Sequence, residues 1–165
     1  MGLPSIDITF KTLGMTAIQR SQKGIVAVIL EDAAGAGAHI MTNVTDIPSA
    51  LGAENRAYLE RAFTGYVNPP RKVIAYVVDG TEKTLDDALA YFATQQFDYL
   101  VGAPDTESAD AQKIASWVKS ERANKHTVKA VLPGTAADSE AVVNFTTGGI
   151  RLGEASVTTA AFCSR

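Results

Sequence analysis

Residues 24–30 (GIVAVIL) constrain this chain more than any other stretch. Six apolar residues, most of them β-branched, lie between a glycine and the acidic pair Glu31-Asp32, which suits a strand buried on both faces. Such a strand needs covering layers above and below it. The rest of the chain supplies them by alternating apolar runs with amphipathic stretches. Residues 72–78 (KVIAYVV) read as a second buried strand, with shorter strands over 97–101, 127–132 and 142–145. Helices are expected from Ala53, with Leu59, Ala62, Phe63 and Tyr66 inward and Arg56, Glu60 and Arg61 outward; from Thr84, with Leu85, Ala88, Leu89 and Phe92 inward; and from Ser108. The last of these buries Ala111, Ile114, Ala115 and Val118, with Trp117 at the margin and Lys119, Glu121 and Arg122 toward solvent. Thr84 and Ser108 are the expected N-caps, and Asp46 that of a short turn. Strand starts near Val73, Tyr99 and Val128 fall 26 and 29 positions apart, close to the roughly 30 residues of a βαβ unit. The expected fold is α/β: a mostly parallel sheet with helices on both faces, preceded by an extended N-terminal arm.

That arm, residues 1–23, sits outside the core pattern. Ile6, Ile8 and Phe10 alternate with Asp7 and Thr9, the period of a strand with one apolar face, and 11–23 follow as a mostly polar tether. The pattern fits equally an edge strand folded back on its own sheet and a strand that pairs with another molecule. The expected organisation is therefore an arm over 1–23, an α/β domain over 24–145, and the start of a further region over 146–165. In the last of these a helix opening at Thr158 or Thr159 runs through Ala160, Ala161, Phe162 and Cys163 without a stop signal.

A net charge of −3 with dispersed Lys and Arg leaves no basic footprint for nucleic acid or an anionic membrane. No apolar run approaches the roughly 20 residues of a membrane-spanning helix, and residues 1–10 lack the basic start and apolar middle of a signal peptide. A cytoplasmic origin is the expectation. The single cysteine, Cys163, excludes an internal disulfide and, among small apolar neighbours, reads as a buried hydrophobe.

The residues offer little chemistry. Gly35 and Gly37 follow the first strand, but Ile40 stands where a third dinucleotide-loop glycine belongs, so they read as a connector. His39 and His126 are far from each other and from any metal-ligand spacing. No serine sits in a Gly-x-Ser-x-Gly elbow. Acidic residues do gather at strand exits, Glu31, Asp32, Asp79, Asp105 and Asp138. They could serve a small Mg-dependent α/β enzyme or phospho-acceptor domain, although aspartate is also the ordinary residue of turns and caps. Pro133 and Gly134 occupy the place where a receiver-like domain carries its lysine.

Gly2-Leu-Pro-Ser-Ile6, Phe10-Lys11, Thr16-Ala-Ile18, Arg20-Ser21 and residues 24–30, followed by Val143-Asn-Phe145, Thr147-Gly-Gly149 and Thr159-Ala-Ala161 through Arg165, resemble contractile phage tail sheath proteins. The similar branch is that of prophage-like elements and tailocins of Gram-positive bacteria. The resemblance runs the length of the chain and implies an N-terminal fragment of a longer sheath subunit. It also implies a non-enzymatic structural protein without cofactor or metal, a component of the virion tail assembled in the host cytoplasm. Hexameric rings would stack helically around a tail tube above a baseplate and contract to drive the tube through a cell envelope. Terminal arms would join neighbouring subunits by strand addition, which gives Ile6, Asp7, Ile8, Thr9 and Phe10 a role in subunit contact.

Overall fold

A computed structural model describes residues 24–64, 69–148, 150–152, 155–157 and 159. Ile6, Asp7, Ile8, Thr9 and Phe10, together with Tyr66 and Cys163, lie outside the described residues. Among those described, the chain runs β1 (Ile25–Glu31), β2 (Gly37–Met41), α1 (Ala53–Thr64), β3 (Lys72–Val78), α2 (Leu85–Ala93), β4 (Tyr99–Val101), α3 (Ser108–Ala123), β5 (Lys129–Pro133), β6 (Val142–Phe145) and a hairpin of β7 (Ile150–Leu152) with β8 (Ala155–Val157).

The first six strands form one sheet in the order β2-β3-β1-β4-β5-β6. All neighbours are parallel except β2, which runs antiparallel to β3. The apolar run that opens the sequence takes an interior position, with Val28 level with Ala75 on one side and Val101 on the other. Ala27, Val28, Ile29 and Leu30 are all buried.

Strand alternation divides the core into two layers. Ala27, Ile29, Ile74, Tyr76, Leu100, Ala130 and Leu132 face α2 and α3. Val28, Leu30, Val73, Ala75, Val77 and Val101 face α1, whose Tyr58, Leu59 and Phe63 cover them. The expected mostly parallel sheet with helices on both faces is thus what the chain builds. Beneath α2 and α3 an aromatic series runs Tyr76, Tyr91, Phe92, Phe97, Trp117, with successive ring centroids 5.4, 5.6, 5.6 and 6.5 Å apart. Trp117 stacks on Phe97 with an interplanar angle of 13°.

β5 and β6 are parallel neighbours joined only by residues 134–141, shorter than the dozen or so that a parallel crossover usually takes. Gly134 turns the chain at a φ of 54°. Thr135 is buried, its hydroxyl donating to the Pro133 carbonyl at 2.9 Å, and Ala141 packs into the core. The connection forms no helix, and the Ala130 amide donates to the Ala141 carbonyl at 2.8 Å.

Several local expectations are corrected. Ser108 is the first residue of α3 rather than its cap; Glu107 takes that position without a side-chain hydrogen bond. Asp46 closes a 3-10 turn (Val44–Asp46) rather than opening it, its carboxylate accepting the amides of Thr42 and Asn43. Glu121 is buried rather than solvent-facing and meets His126 Nδ1 at 2.6 Å. Thr84 is an N-cap as expected, accepting from the Asp87 amide while Asp87 accepts from the Thr84 amide.

Candidate interaction surface

In open parallel sheets ligands bind beyond the carboxyl ends of the strands, and in this sheet those ends carry acidic residues. Asp32 Oδ2 accepts the Gly52 amide at 2.7 Å and the Asn55 side-chain amide at 2.9 Å, and Oδ1 accepts the Ala34 amide at 3.0 Å. The Gly52 amide above all, then Asn55 and Ala34, hold this carboxyl below its ordinary value. A single Asp79 oxygen accepts the amides of Thr81, Glu82 and Lys83 at 2.9, 2.9 and 2.8 Å. That carboxyl too is lowered, chiefly by the Lys83 amide. Both side chains are occupied in building turns. Glu31 and Asp105 share a cleft with Glu107 and Asp110 at the ends of β1, β3 and β4; Asp32, Asp79 and Asp138 do not line it. Among the described residues no three His, Cys, Asp or Glu side chains are grouped to hold a metal ion.

The histidines are likewise structural. His39 Nε2 contacts the Gly35 carbonyl at 2.7 Å, bracing the loop into β2. His126 pairs with Glu121 across the end of α3.

What the fold leaves open is sheet. β2 and β6 are the two edges. Neither edge strand, Gly37–Met41 or Val142–Phe145, contains a lysine, arginine, proline or acidic residue, the usual means of blunting an edge. On β2, Ile40 is 57% exposed. The second opening is a face. The layer beneath α1 reaches Val101 on β4 and stops there. Strand register places Tyr99, Val131 and Val143 on that same side across β4, β5 and β6. Tyr99 is 38% and Val143 45% exposed, while Val131 is half-buried. Among the described residues, these three join neither buried layer. Among the described residues, α1 is the one helix on this face of the six-stranded sheet, and its layer does not extend past β4.

Two contacts that fix this geometry are absent from the sequence reading. Buried Asn55 ties α1 to the end of β1 by donating to the Glu31 carbonyl at 2.8 Å and to Asp32. Tyr58 Oη, fully buried, donates to the Gly102 carbonyl at 3.0 Å and anchors α1 to the exit of β4. Tyr58 lies at helical spacing from Ala62, a local signal of an inward side chain that the stripe Leu59, Ala62, Phe63 and Tyr66 leaves out; nothing local marks its acceptor.

Among the described residues, the α/β domain thus presents two unblunted sheet edges, one face covered by a single helix, and carboxylates engaged in turns. In an alignment of 161 positions that covers 93% of its length, the chain is 37% identical to a tail sheath protein of Clostridium phage phiCD119. Its fold is similar to that of a sheath tail protein from Listeria innocua, with a TM-score of 0.70 and 11% identity over 94% of this chain. No family model matches the chain. It spans 44% of the length of the phage relative and 58% of the Listeria chain. The resemblance to tail sheath proteins read from its motifs therefore holds across nearly the whole sequence.

Proposed function

We propose that this chain is part of a structural, non-enzymatic subunit of a contractile tail sheath, which self-associates in hexameric rings around a tail tube and contracts to drive that tube through a cell envelope. The similarity to the phage tail sheath protein carries this reading. Two unblunted sheet edges support it, because they offer main-chain donors and acceptors to an incoming strand. Residues 6–10 supply such a strand, with Ile6, Ile8 and Phe10 on one side, and pair with a neighbouring subunit. Residues 11–23 act as the tether that keeps subunits linked while their globular parts slide. Contraction draws on the difference in interface free energy between extended and shortened lattices and consumes no nucleotide in the sheath. The subunit is a virion tail component, assembled in the host cytoplasm on tube and baseplate proteins. The engagement of Asp32 and Asp79 in turn hydrogen bonds weighs against a Mg-dependent site at the strand exits.

Electron microscopy of the intact gene product, concentrated in physiological buffer, tests the reading. Striated hollow tubes are expected, and deletion of residues 1–20 should spare folding while abolishing them. Uniformly small particles at every concentration would overturn the sheath assignment; normal tubes from the deletion would overturn the role of the arm.

A further inference from the structure

Aspartate precedes glycine once in the sequence, at Asp79-Gly80. Such a pair is open to succinimide chemistry, because glycine has no side chain to shield its nitrogen. The Gly80 nitrogen attacks Asp79 Cγ; a C–N bond forms, the carboxyl C–OH bond breaks, and the hydroxyl leaves as water with the amide proton. Water then opens the ring. Hydrolysis at the side-chain carbonyl restores aspartate, whereas hydrolysis at the main-chain carbonyl leaves isoaspartate, with the backbone running through the former side chain.

The turn after β3 holds both reacting groups. One Asp79 oxygen accepts the amides of Thr81, Glu82 and Lys83 at 2.9, 2.9 and 2.8 Å and the Thr81 hydroxyl at 3.2 Å. The Gly80 amide, which would be the nucleophile, donates to the Lys83 carbonyl at 3.3 Å, and the Asp79 amide donates to the same oxygen at 3.1 Å. Ring closure proceeds far more readily from the neutral acid than from the carboxylate. The amides, that of Lys83 foremost, favour the carboxylate. Gly80 sits at a φ of 74°, a left-handed conformation that glycine takes without steric cost. The turn therefore calls for the residue that makes the pair reactive, and its hydrogen bonds offset that reactivity.

We propose that Asp79-Gly80 is an isoaspartate site gated by its own turn: silent while residues 79–83 are closed, and converted at the rate of an unfolded chain once they open. Conversion removes the acceptor of three amides and adds a methylene to the main chain between β3 and the Thr84 cap of α2. The site goes beyond the sheath reading and does not depend on it.

The test ages the full chain at neutral pH, folded and in urea, and cuts it with trypsin. Fragments 73–83 and 130–151 carry Asp79 and Asp138, and isoaspartate in each is resolved by retention time against synthetic standards. At Asp79 it should accumulate at least about tenfold more slowly in the folded chain, as for chemistry confined to a minor open state. Glu82→Pro, at an exposed position, removes one of the three amide donors. It should raise the folded rate about tenfold, the weight of one hydrogen bond to a charged group, while the Asp138-Ser139 pair keeps its rate. Should Glu82→Pro fail to fold, Thr81→Val removes only the hydroxyl's bond and should give a smaller rise. Equal rates in folded and unfolded chain, or a folded variant with the parent's rate, would overturn the gate. A parallel rise at Asp79 and Asp138 would assign the rate to global unfolding and overturn it as well.

Discussion

The carboxylate of Asp98 accepts the backbone amide of Ile25 at 3.0 Å, and with the same oxygen the amide of Gly24 at 2.8 Å. These bonds tie the start of β1 to the approach to β4, and main chain repeats the link: the Asp98 amide donates to the Ile25 carbonyl at 2.9 Å. The point where the chain enters its sheet is thus fixed by a residue more than seventy positions away. Asp98→Ala would leave two part-buried amides without an acceptor, at a cost of about 1–3 kcal/mol. Asp98→Asn keeps one acceptor oxygen and should cost less. Urea unfolding of the three proteins checks the ranking, and an Asp98→Ala midpoint equal to the parent would refute the anchoring role.

Tyr58 anchors the other layer. Its hydroxyl reaches the Gly102 carbonyl from a fully buried ring. Tyr58→Phe should lose about 1 kcal/mol, the net worth of one hydrogen bond, and Tyr58→Ala about 3–5 kcal/mol with its cavity. The gap between the two variants, read from denaturant midpoints at a common slope, separates the hydrogen bond from the packing. Equal losses would mean that the hydroxyl contributes nothing.

Gly102 is held to its identity by space. A Cβ built there would run into the Thr106 hydroxyl and lie 3.2 Å from Thr106 Cβ, while that hydroxyl donates to the Ala103 carbonyl at 2.6 Å. Gly102→Ala should cost about 1–3 kcal/mol by overpacking. Because the clash is with one side chain, adding Thr106→Ala should recover part of it. The double-mutant cycle is therefore expected to be non-additive, by about 0.5 kcal/mol or more. Strict additivity would place the strain elsewhere.

These anchors explain what the sequence could and could not disclose. The buried runs of β1 and β3 and the stripes Ala88, Leu89, Phe92 and Ala111, Ile114, Ala115, Val118 were legible because burial on a fixed period is a local signal. β4, with three residues, carries too little pattern to define its start; it begins at Tyr99 rather than Phe97. Glu121 looked solvent-facing because a carboxylate usually is, and its partner His126 lies beyond the end of the helix. Asp98 and Asn55 resemble ordinary loop and helix-surface residues until the chain is folded. Which strands share a face with α1 follows from the sheet order, which no single segment encodes.

Acid should weaken the domain through its turn carboxylates. Asp32, Asp46, Asp79 and Asp87 are all lowered from an ordinary value of 3.8 by backbone amides. A group lowered in the folded state takes its proton later than in the unfolded chain, so falling pH favours unfolding. Their stabilisation is complete above the ordinary carboxylate value and drains as pH falls through the lowered folded values. Stability from these groups should be flat between about pH 6 and 8 and decline below about pH 4. Asp32→Asn should be weaker at neutral pH and show a shallower acid decline; a parallel decline would remove Asp32 from the account.

Ile40 offers the sharpest separation of assembly from folding. It is the penultimate residue of edge strand β2, 57% exposed, opposite Ile74 in register. Placing a charge there should change stability by no more than about 0.5 kcal/mol, as for other exposed positions. A lysine on an edge is also a common means of preventing strand addition. If β2 is the edge that receives the arm strand of a neighbouring subunit, Ile40→Lys should leave the unfolding midpoint in place and abolish tubes. Asn144→Lys on β6, exposed on the opposite edge, should then leave tubes intact. The reverse pattern would move the receiving edge to β6, and tubes from both variants would show that neither edge of this sheet takes the arm.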